Sequence, residues 1–591
     1  MINPRGDVSV NPFLDAQADN KDVSNRISGN IYSIITLPFL EGFSYRINFS
    51  NNLSTYKLFN SNPYDRGQTG SVTKENGSTL DLLFDNIFSY EKKIQNHNLN
   101  FTFVSGINKV NSEYTTANGY NIPNLSLSYN SMQQATSLET LSGAYKESAL
   151  YQMFRANYGF AGKYMLTATI RRDGFSGFAR NQKIALFPSF GAAWVVSEEP
   201  FFKVPAISYL KLRGSYGENG NQIARYMSLA RVSTSLSSSY VFGDGSTTSL
   251  GQSPSTLAND DLTWEKATGI NVGLDYGILN DRIRGSIEYY KTTTTNLFWN
   301  VGLPIATGFN SITSNLGKLV NHGLEFQLSS RIIQNADFTW DIDLNFSTNR
   351  NKIVKLLGVD NDGDGREDDL VASGLFIGES IGTIYDFETN GIWQLRDEIP
   401  AGFSPGTYRV VDQNGDGVLS AEHDRRILGR KEPAYTAGIQ NTLKYKGFTF
   451  RMFINTIQGG KNSYLGANHP YGVNGTKSTA QHGNWFTFYD YWSPSNPGGK
   501  YPLIWEPAQI SPVQYLSRSF VRLQDVSLSY QIPGSVINKI KLKSASLYVS
   551  GKNLVTLTKW DGWDPETGQG IISSNPLPVM KSYTLGLNLS L

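Results

Sequence analysis

The sequence predicts an all-β fold, a transmembrane antiparallel β-barrel. Three observations carry the prediction: an apolar strand at the C-terminus, the same alternation repeated along the chain, and a composition that suits a barrel. From Tyr583 to Leu591, Tyr583, Leu585, Leu587, Leu589 and Leu591 fall on one face, and Thr584, Gly586, Asn588 and Ser590 on the other. That is period-2 patterning without an exception. An open edge with an oily face invites aggregation in water. In a membrane barrel the same strand turns that face to lipid.

The alternation recurs in Phe43, Tyr45, Ile47 and Phe49, in Leu99, Phe101 and Phe103, and in Ile270, Val272, Leu274 and Tyr276. It returns in Ile283, Ile287 and Tyr289, in Phe338–Phe346 with Asp341 and Asp343 on the opposite face, in Phe448–Ile454, and at Leu547 and Val549. Roughly 16–18 such segments, evenly spread, favour a barrel over a sandwich. Short turns such as Leu279-Asn280-Asp281 alternate with long polar stretches such as 461–484, as turns and loops do at the two ends of a barrel.

Composition agrees. The chain of 591 residues is 39% apolar and 13% aromatic, with 32 Tyr, 32 Phe and 10 Trp, enough for interface girdles. Its mean hydropathy is −0.32, and no stretch approaches the roughly 18–20 apolar residues of a spanning helix. A net charge of +2 leaves no nucleic-acid footprint. The absence of cysteine removes disulfides and thiolate metal sites.

Two loops carry readable chemistry. Asp412-Gln413-Asn414-Gly415-Asp416-Gly417 opens like a calcium loop, with oxygen side chains at positions 1, 3 and 5 and Gly at 6. Val418 would offer its carbonyl at position 7 and Ser420 its oxygen at 9. Position 12 is His423, so the expected closing carboxylate is Asp424, reached through a one-residue bulge. The alternative is a run of Asx-turns at a hairpin tip. The second loop, with Asp360, Asp362, Asp364, Arg366 and Asp368 as its candidate set, lies among six acidic residues between 360 and 369. Their mutual repulsion would be relieved by a cation, or by solvent if the loop is simply exposed.

Enzymatic signals are absent. The five histidines form no ligand set, and neither a G-x-S-x-G elbow nor a phosphate loop occurs. Glu198-Glu199 are adjacent and read as part of a turn rather than an acid/base pair. The aromatic run Trp485–Trp492 suits sugar stacking, or girdle and loop packing.

Between residues 163 and 566 a series of blocks occurs in order. They are K-Y-M-L-T-A-T-I-R-R-D-G (163–174), F-P-S-F-G-A-A-W-V-V-S-E-E-P-F-F (187–202), L-K-L-R-G-S-Y-G-E-N-G-N-Q (210–222), L-T-W-E-K (262–266), N-V-G-L-D-Y-G (271–277), Y-Y-K (289–291), N-L-G-K-L-V-N-H-G-L-E (315–325), F-V-R-L-Q-D-V-S-L-S-Y (520–530), S-G-K-N-L (550–554) and D-P-E (564–566). The series resembles the SusC/RagA-type TonB-dependent outer-membrane transporters from about residue 25 onward, and the D-R-x-x-L-G tail at 424–429 resembles the family's as well.

The resemblance implies a plug inside a barrel of about 22 strands, of which this chain holds about 16–18. On that reading 1–591 is the C-terminal part of the barrel, incomplete, without plug, signal peptide or TonB box. A complete small barrel is the alternative. The implied function is import of large nutrients, glycans or peptides, with a SusD-like surface lipoprotein, the TonB complex and outer-membrane lipid as partners and with no nucleic acid. A passive porin-like or structural barrel is the competing reading. The expected location is the Gram-negative outer membrane, and calcium is the one expected ion. If the first strands are missing, a gap is expected beside 583–591, rather than closure against a strand near 27–37 or 43–57.

Overall fold

A computed structural model describes residues 19–62, 70–122, 126–234, 240–242, 247–249, 251–463, 490–503, 510, 512–537, 542–562, 564–567 and 579–590. Among the described residues, eighteen strands belong to one sheet. In chain order they are β1 (Asp19–Thr36), β2 (Phe43–Asn62), β3 (Gly70–Ile94), β4 (His97–Ile122), β5 (Ser137–Phe160), β6 (Tyr164–Phe175), β7 (Ile184–Val195), β8 (Ile207–Asn221) and β9 (Glu265–Ile278). They continue with β10 (Ile283–Gly302), β11 (Ser311–Gln334), β12 (Phe338–Ser347), β13 (Arg350–Lys355), β14 (Pro433–Tyr445), β15 (Phe448–Gly459), β16 (Phe520–Gln531), β17 (Ser544–Thr558) and β18 (Ser582–Ser590). Among the described residues no helix is long and apolar enough to cross a membrane.

Contacts divide the chain into one unit of residues 1–193, 215–268 and 296–315 and another of 194–214, 269–295 and 316–591. The bounds fall inside β7, β8, β9, β10 and β11, not in linkers. In the first unit β1 to β6 pair successively as hairpins. In the second, β11 pairs β12, β12 pairs β14, and β14 to β18 follow in order.

Connections alternate between short and long. Residues 37–42, 95–96, 161–163, 279–282, 335–337 and 446–447 make tight turns. The intervening connections 123–136, 222–264, 356–432 and 460–519 are longer. Left-handed residues close several tight turns, including Leu279, Asn280 and Asp281 with φ of 55°, 54° and 61°, a geometry that Asn and Asp tolerate best. Glu198-Glu199 lies where expected, in a turn: Val196–Glu198 is a 3-10 segment, and β8 begins at Ile207.

The pleat sorts the two faces. On β2 and β3, Tyr45 pairs Phe88 with stacked rings 4.4 Å apart, and Phe49 pairs Phe84. Asn86 shares this apolar face and is satisfied by the Tyr45 hydroxyl, which donates to its Oδ1 at 2.6 Å. Without that partner, an amide facing hydrocarbon would cost several kcal/mol. β3 and β4 have 25 and 26 residues, roughly 80 Å at about 3.3 Å per residue. They therefore extend well past a hydrocarbon layer of about 30 Å.

In the first unit a cluster of Phe175, Phe178, Phe187, Ile223, Leu262 and Trp264 packs at the long-loop ends of β6, β7 and β9. Leu262 is fully buried, and the Trp264 indole donates to the Lys183 carbonyl at 3.3 Å.

β18 pairs β17 in the register Leu547↔Leu587 and Val549↔Leu585. Tyr583, Leu585, Leu587 and Leu589 are 56–75% exposed, as lipid-facing positions would be. On the other face Gly586 lies beneath the Tyr548 ring. Replacing Leu587 by Lys should therefore cost about 2–4 kcal/mol at the bilayer midplane, and less toward an interface, whereas Asn588→Lys should be nearly neutral. Unfolding in lipid vesicles reads the difference, and equal costs at the two positions would refute the sidedness.

Candidate functional site

The face opposite the apolar one is a wall of bonded polar side chains. In the first unit a chain of hydrogen bonds crosses five strands. Asn30 on β1 donates to Asn48 on β2 at 3.0 Å, Asn48 donates to Asp85 on β3 at 3.5 Å, and the Tyr151 hydroxyl on β5 donates to the same carboxylate. β4 lies between and contributes Gly106, where a Cβ would overlap both the Asp85 carboxylate and the Tyr151 ring. Further along, Asn108 donates to Asp81 at 2.6 Å, and Tyr56 and Thr116 donate to Glu75 at 2.7 and 3.0 Å. Asn48 and Asp85 are buried, so leaving either unpaired would be costly.

The second unit builds its wall from charges. Arg213 on β8 reaches Asp275 on β9 at 3.1 Å and also Glu288 on β10, while Lys211 meets Asp275 at 3.3 Å and Asn271 donates to Glu288 at 3.2 Å. Gly273 leaves room for the Arg213 guanidinium. Asp341 and Asp343 each have a partner, Arg331 at 2.8 Å and the Ser329 hydroxyl at 2.6 Å. These groups are partly exposed, so each pair contributes little alone; together they hold a hydrated, charge-balanced surface.

One ion pair is different. Arg522 on β16 is 2% exposed and binds Asp564 and, at 2.6 Å, Glu566. Arg518 donates to the Pro565 and Glu566 carbonyls, so the D-P-E turn is clamped from both sides. Removing one partner of such a buried pair would leave an uncompensated charge and be strongly destabilising.

The two acidic loops fold on one template. Asp412 accepts from the Gly415 and Gly417 amides at 2.7 and 2.8 Å, and Asp360 accepts from those of Gly363 and Gly365 at 2.8 and 3.0 Å. Asn414 accepts from the Asp416 amide, as Asp362 does from Asp364. Asp416 accepts from the Val418 amide, as Asp364 does from Arg366.

Closure of the first loop falls to Asp424. It is fully buried and accepts from the Gln413 and Ser420 amides at 2.8 and 2.7 Å. His423 is exposed, and its amide donates to the Ser420 hydroxyl. In the second loop Asp368 takes the matching bond from the Asn361 amide. Carboxylate oxygens of Asp360, Asp362 and Asp368 lie within 4.8 Å of one another, about twice a calcium–oxygen distance of roughly 2.4 Å. The donor chemistry thus fits a hard cation. Asp416 is held below the usual carboxylate range, first by the Val418 amide and then by the Asn414 side chain.

Sequence reading missed Glu367, which accepts from the Leu356 amide at 2.8 Å and from that of Gly358, and Asp369, which accepts from the Ile377 amide. Both fasten the second loop to its base, and nothing in the motif marks them.

Of the aromatic run, residues 485–489 lie outside the described residues. Trp492 is 2% exposed, and its indole donates to Gln394 at 3.0 Å. It is a packing residue of the loops, unavailable to a sugar.

A sheet with one lipid-suited face and one bonded polar face, joined by alternating short turns and long loops, defines an outer-membrane β-barrel. Residues 4–554 match the "TonB dependent receptor-like, beta-barrel" family, and the chain belongs to it. It is 32% identical over 630 residues to TonB-dependent receptor P3 of Formosa agariphila, spanning all of this chain and 60% of that protein. It is 30% identical over 447 residues to the TonB-dependent receptor SusC of Bacteroides thetaiotaomicron, spanning 74% of this chain and 43% of SusC. The solved structure of the RagAB peptide transporter shares the fold, with a TM-score of 0.80 and 24% identity over 98% of this chain and 63% of that one. The family is therefore that of the outer-membrane TonB-dependent receptor barrels. The chain spans about 60% of the length of P3.

Gly106 tests the wall. Gly106→Ala should separate Tyr151 from Asp85 and cost about 2–4 kcal/mol, combining overpacking with a lost charged hydrogen bond. Adding Tyr151→Ser should cost less than the sum of the single changes, because the clash is then relieved. Strict additivity in a double-mutant cycle would rule out the contact.

Proposed function

We propose that this barrel serves a TonB-dependent, SusC-like importer of large nutrients, glycans or peptides, received from a SusD-like surface lipoprotein. The family membership carries the reading. The bonded polar wall supports it, since a hydrated surface with balanced charge lets bulky polar cargo pass without trapping one charge sign. TonB-dependent import needs a plug and a TonB-contacting segment besides the barrel. A passive porin-like barrel would need neither, but the similar relatives P3 and SusC are named TonB-dependent receptors. Growth on the cognate nutrient should stop when TonB is deleted and return with its restoration. Uptake indifferent to TonB would favour the passive channel.

We further propose that the loops 360–368 and 412–424 each hold a calcium ion, with Asp360, Asp362, Asp364, the Arg366 carbonyl and Asp368 in one. Asp412, Asn414, Asp416, the Val418 carbonyl, Ser420 and Asp424 serve in the other. Cation binding requires ionised carboxylates. The Asp416 pKa is lowered in the fold, so its contribution is present above the unfolded carboxylate pKa and is lost as pH falls through the lower folded value. At neutral pH, calcium at 100 times its Kd should stabilise each loop by about 2.7 kcal/mol relative to chelator. Asp412→Ala and Asp360→Ala should each remove one loop's share. Calorimetry unchanged by calcium, chelator and either variant would leave only the Asx-turn reading.

A further inference from the structure

On the polar face of the first unit, four residues from four neighbouring strands stand in one row. Tyr56 on β2 pairs Gly77 on β3, Gly77 pairs Tyr114 on β4, and Tyr114 pairs Gly143 on β5. A Cβ on Gly77 would overlap the Tyr56 ring, and one on Gly143 would overlap the Tyr114 ring. Each ring therefore lies across the glycine beside it. Tyr114 remains 42% exposed. The row borders a cavity of about 710 Å³.

We propose that this row is a binding platform for an extended neutral glycan, a reading that rests on the importer function above. The rings are two strands apart, about 9.6 Å, close to the repeat of a disaccharide unit in an extended β-linked chain. Aromatic faces bind the C–H face of a sugar ring and leave its hydroxyls at the rim. Partners for those hydroxyls flank the row: the Thr79–Ser112 hydroxyl pair on one side, and Glu75 with Thr116 on the other. Arg225 is stacked on Tyr145 at 3.5 Å and paired with Glu147 at 3.0 Å, which argues against an anionic glycan.

The platform also lies where cargo would arrive. Beyond Tyr56 and Gly77 the chain runs to the connection 63–69, and beyond Tyr114 and Gly143 to 123–136. The opposite ends of β3 and β4 meet in the tight turn 95–96, and in outer-membrane barrels the longer loops face the exterior.

The test is calorimetric binding to the detergent-solubilised full-length protein, with neutral β-linked gluco-, manno- and xylo-hexasaccharides and a mixed-sequence decapeptide as probes. At least one hexasaccharide should bind. Tyr114→Leu covers Gly143 without offering a ring face, and should weaken binding up to about tenfold. Tyr114→Phe keeps the ring and should bind within about twofold of the parent. If Tyr114→Leu lowers the melting temperature, Tyr56→Leu provides the same comparison at the other ring. The proposal is overturned if no hexasaccharide binds, if the leucine variants bind as well as the parent, or if only the decapeptide binds with this tyrosine dependence. Loss of the platform with uptake still TonB-dependent would leave the importer standing. Glycan binding without TonB-dependent uptake would do the reverse.

Discussion

Every strand here answers to one constraint: in hydrocarbon, a backbone N–H or C=O has no water to turn to and must be paired by the neighbouring strand. That requirement makes register decisive. A slip of one residue would exchange the two faces, sending Asp85 and Asn48 toward lipid and Phe49 and Phe84 into the polar wall. The apolar stripe and the polar network therefore select the same register. The 20 consecutive partners of β2 and β3, without a shift, are the result.

Where the wall is crowded, glycine makes the room. At Gly106 the Asp85–Tyr151 bond passes over β4, and at Gly273 the Arg213 guanidinium lies between its acidic partners. Gly323 answers a different crowding. The Thr348 carbonyl and the Tyr290 ring occupy the space a side chain would take, just where the run of β12 into β13 is interrupted. A strand glycine normally weakens a sheet. Here an aromatic or charged neighbour recovers the lost packing area, as cross-strand aromatic rescue does, and the sheet keeps its pairing while a large side chain lies flat against it.

The fold was legible because its signal is local. Period-2 alternation needs no knowledge of partners, so Tyr583–Leu591, Phe43–Phe49 and Phe338–Phe346 announce their strands and their faces. The backbone template of the first acidic loop was legible for the same reason, because its Asx-type spacing is sequential, and Asp424 rather than His423 accepts the Gln413 and Ser420 amides. What sequence could not supply is register. That Tyr151 meets Asp85 across 66 positions, or that Arg522 meets Asp564 across 42, follows only once neighbouring strands are aligned. Glu367 and Asp369 were missed because they anchor a loop to its base, a role without a motif.

Register also explains why the blocks that carry the family resemblance are the ones they are. Lys211 and Arg213 of L-K-L-R-G meet Asp275 of N-V-G-L-D-Y-G. Asn315, opening N-L-G-K, donates to the Thr263 carbonyl of L-T-W-E-K and accepts from the Thr263 amide. Tyr290 of Y-Y-K covers Gly323 of N-H-G-L-E, and Phe187 of F-P-S-F covers Gly220 of G-E-N-G-N-Q. Arg522 of F-V-R-L-Q-D clamps the D-P-E turn. Each of these eight blocks is half of a lock between segments, and a change in one half strands a polar group or a ring in the other. On the lipid-facing side such locks are fewer, as where Tyr45 holds Asn86 and stacks on Phe88. The residues that carry the resemblance are thus, in this chain, largely the side chains that align its strands.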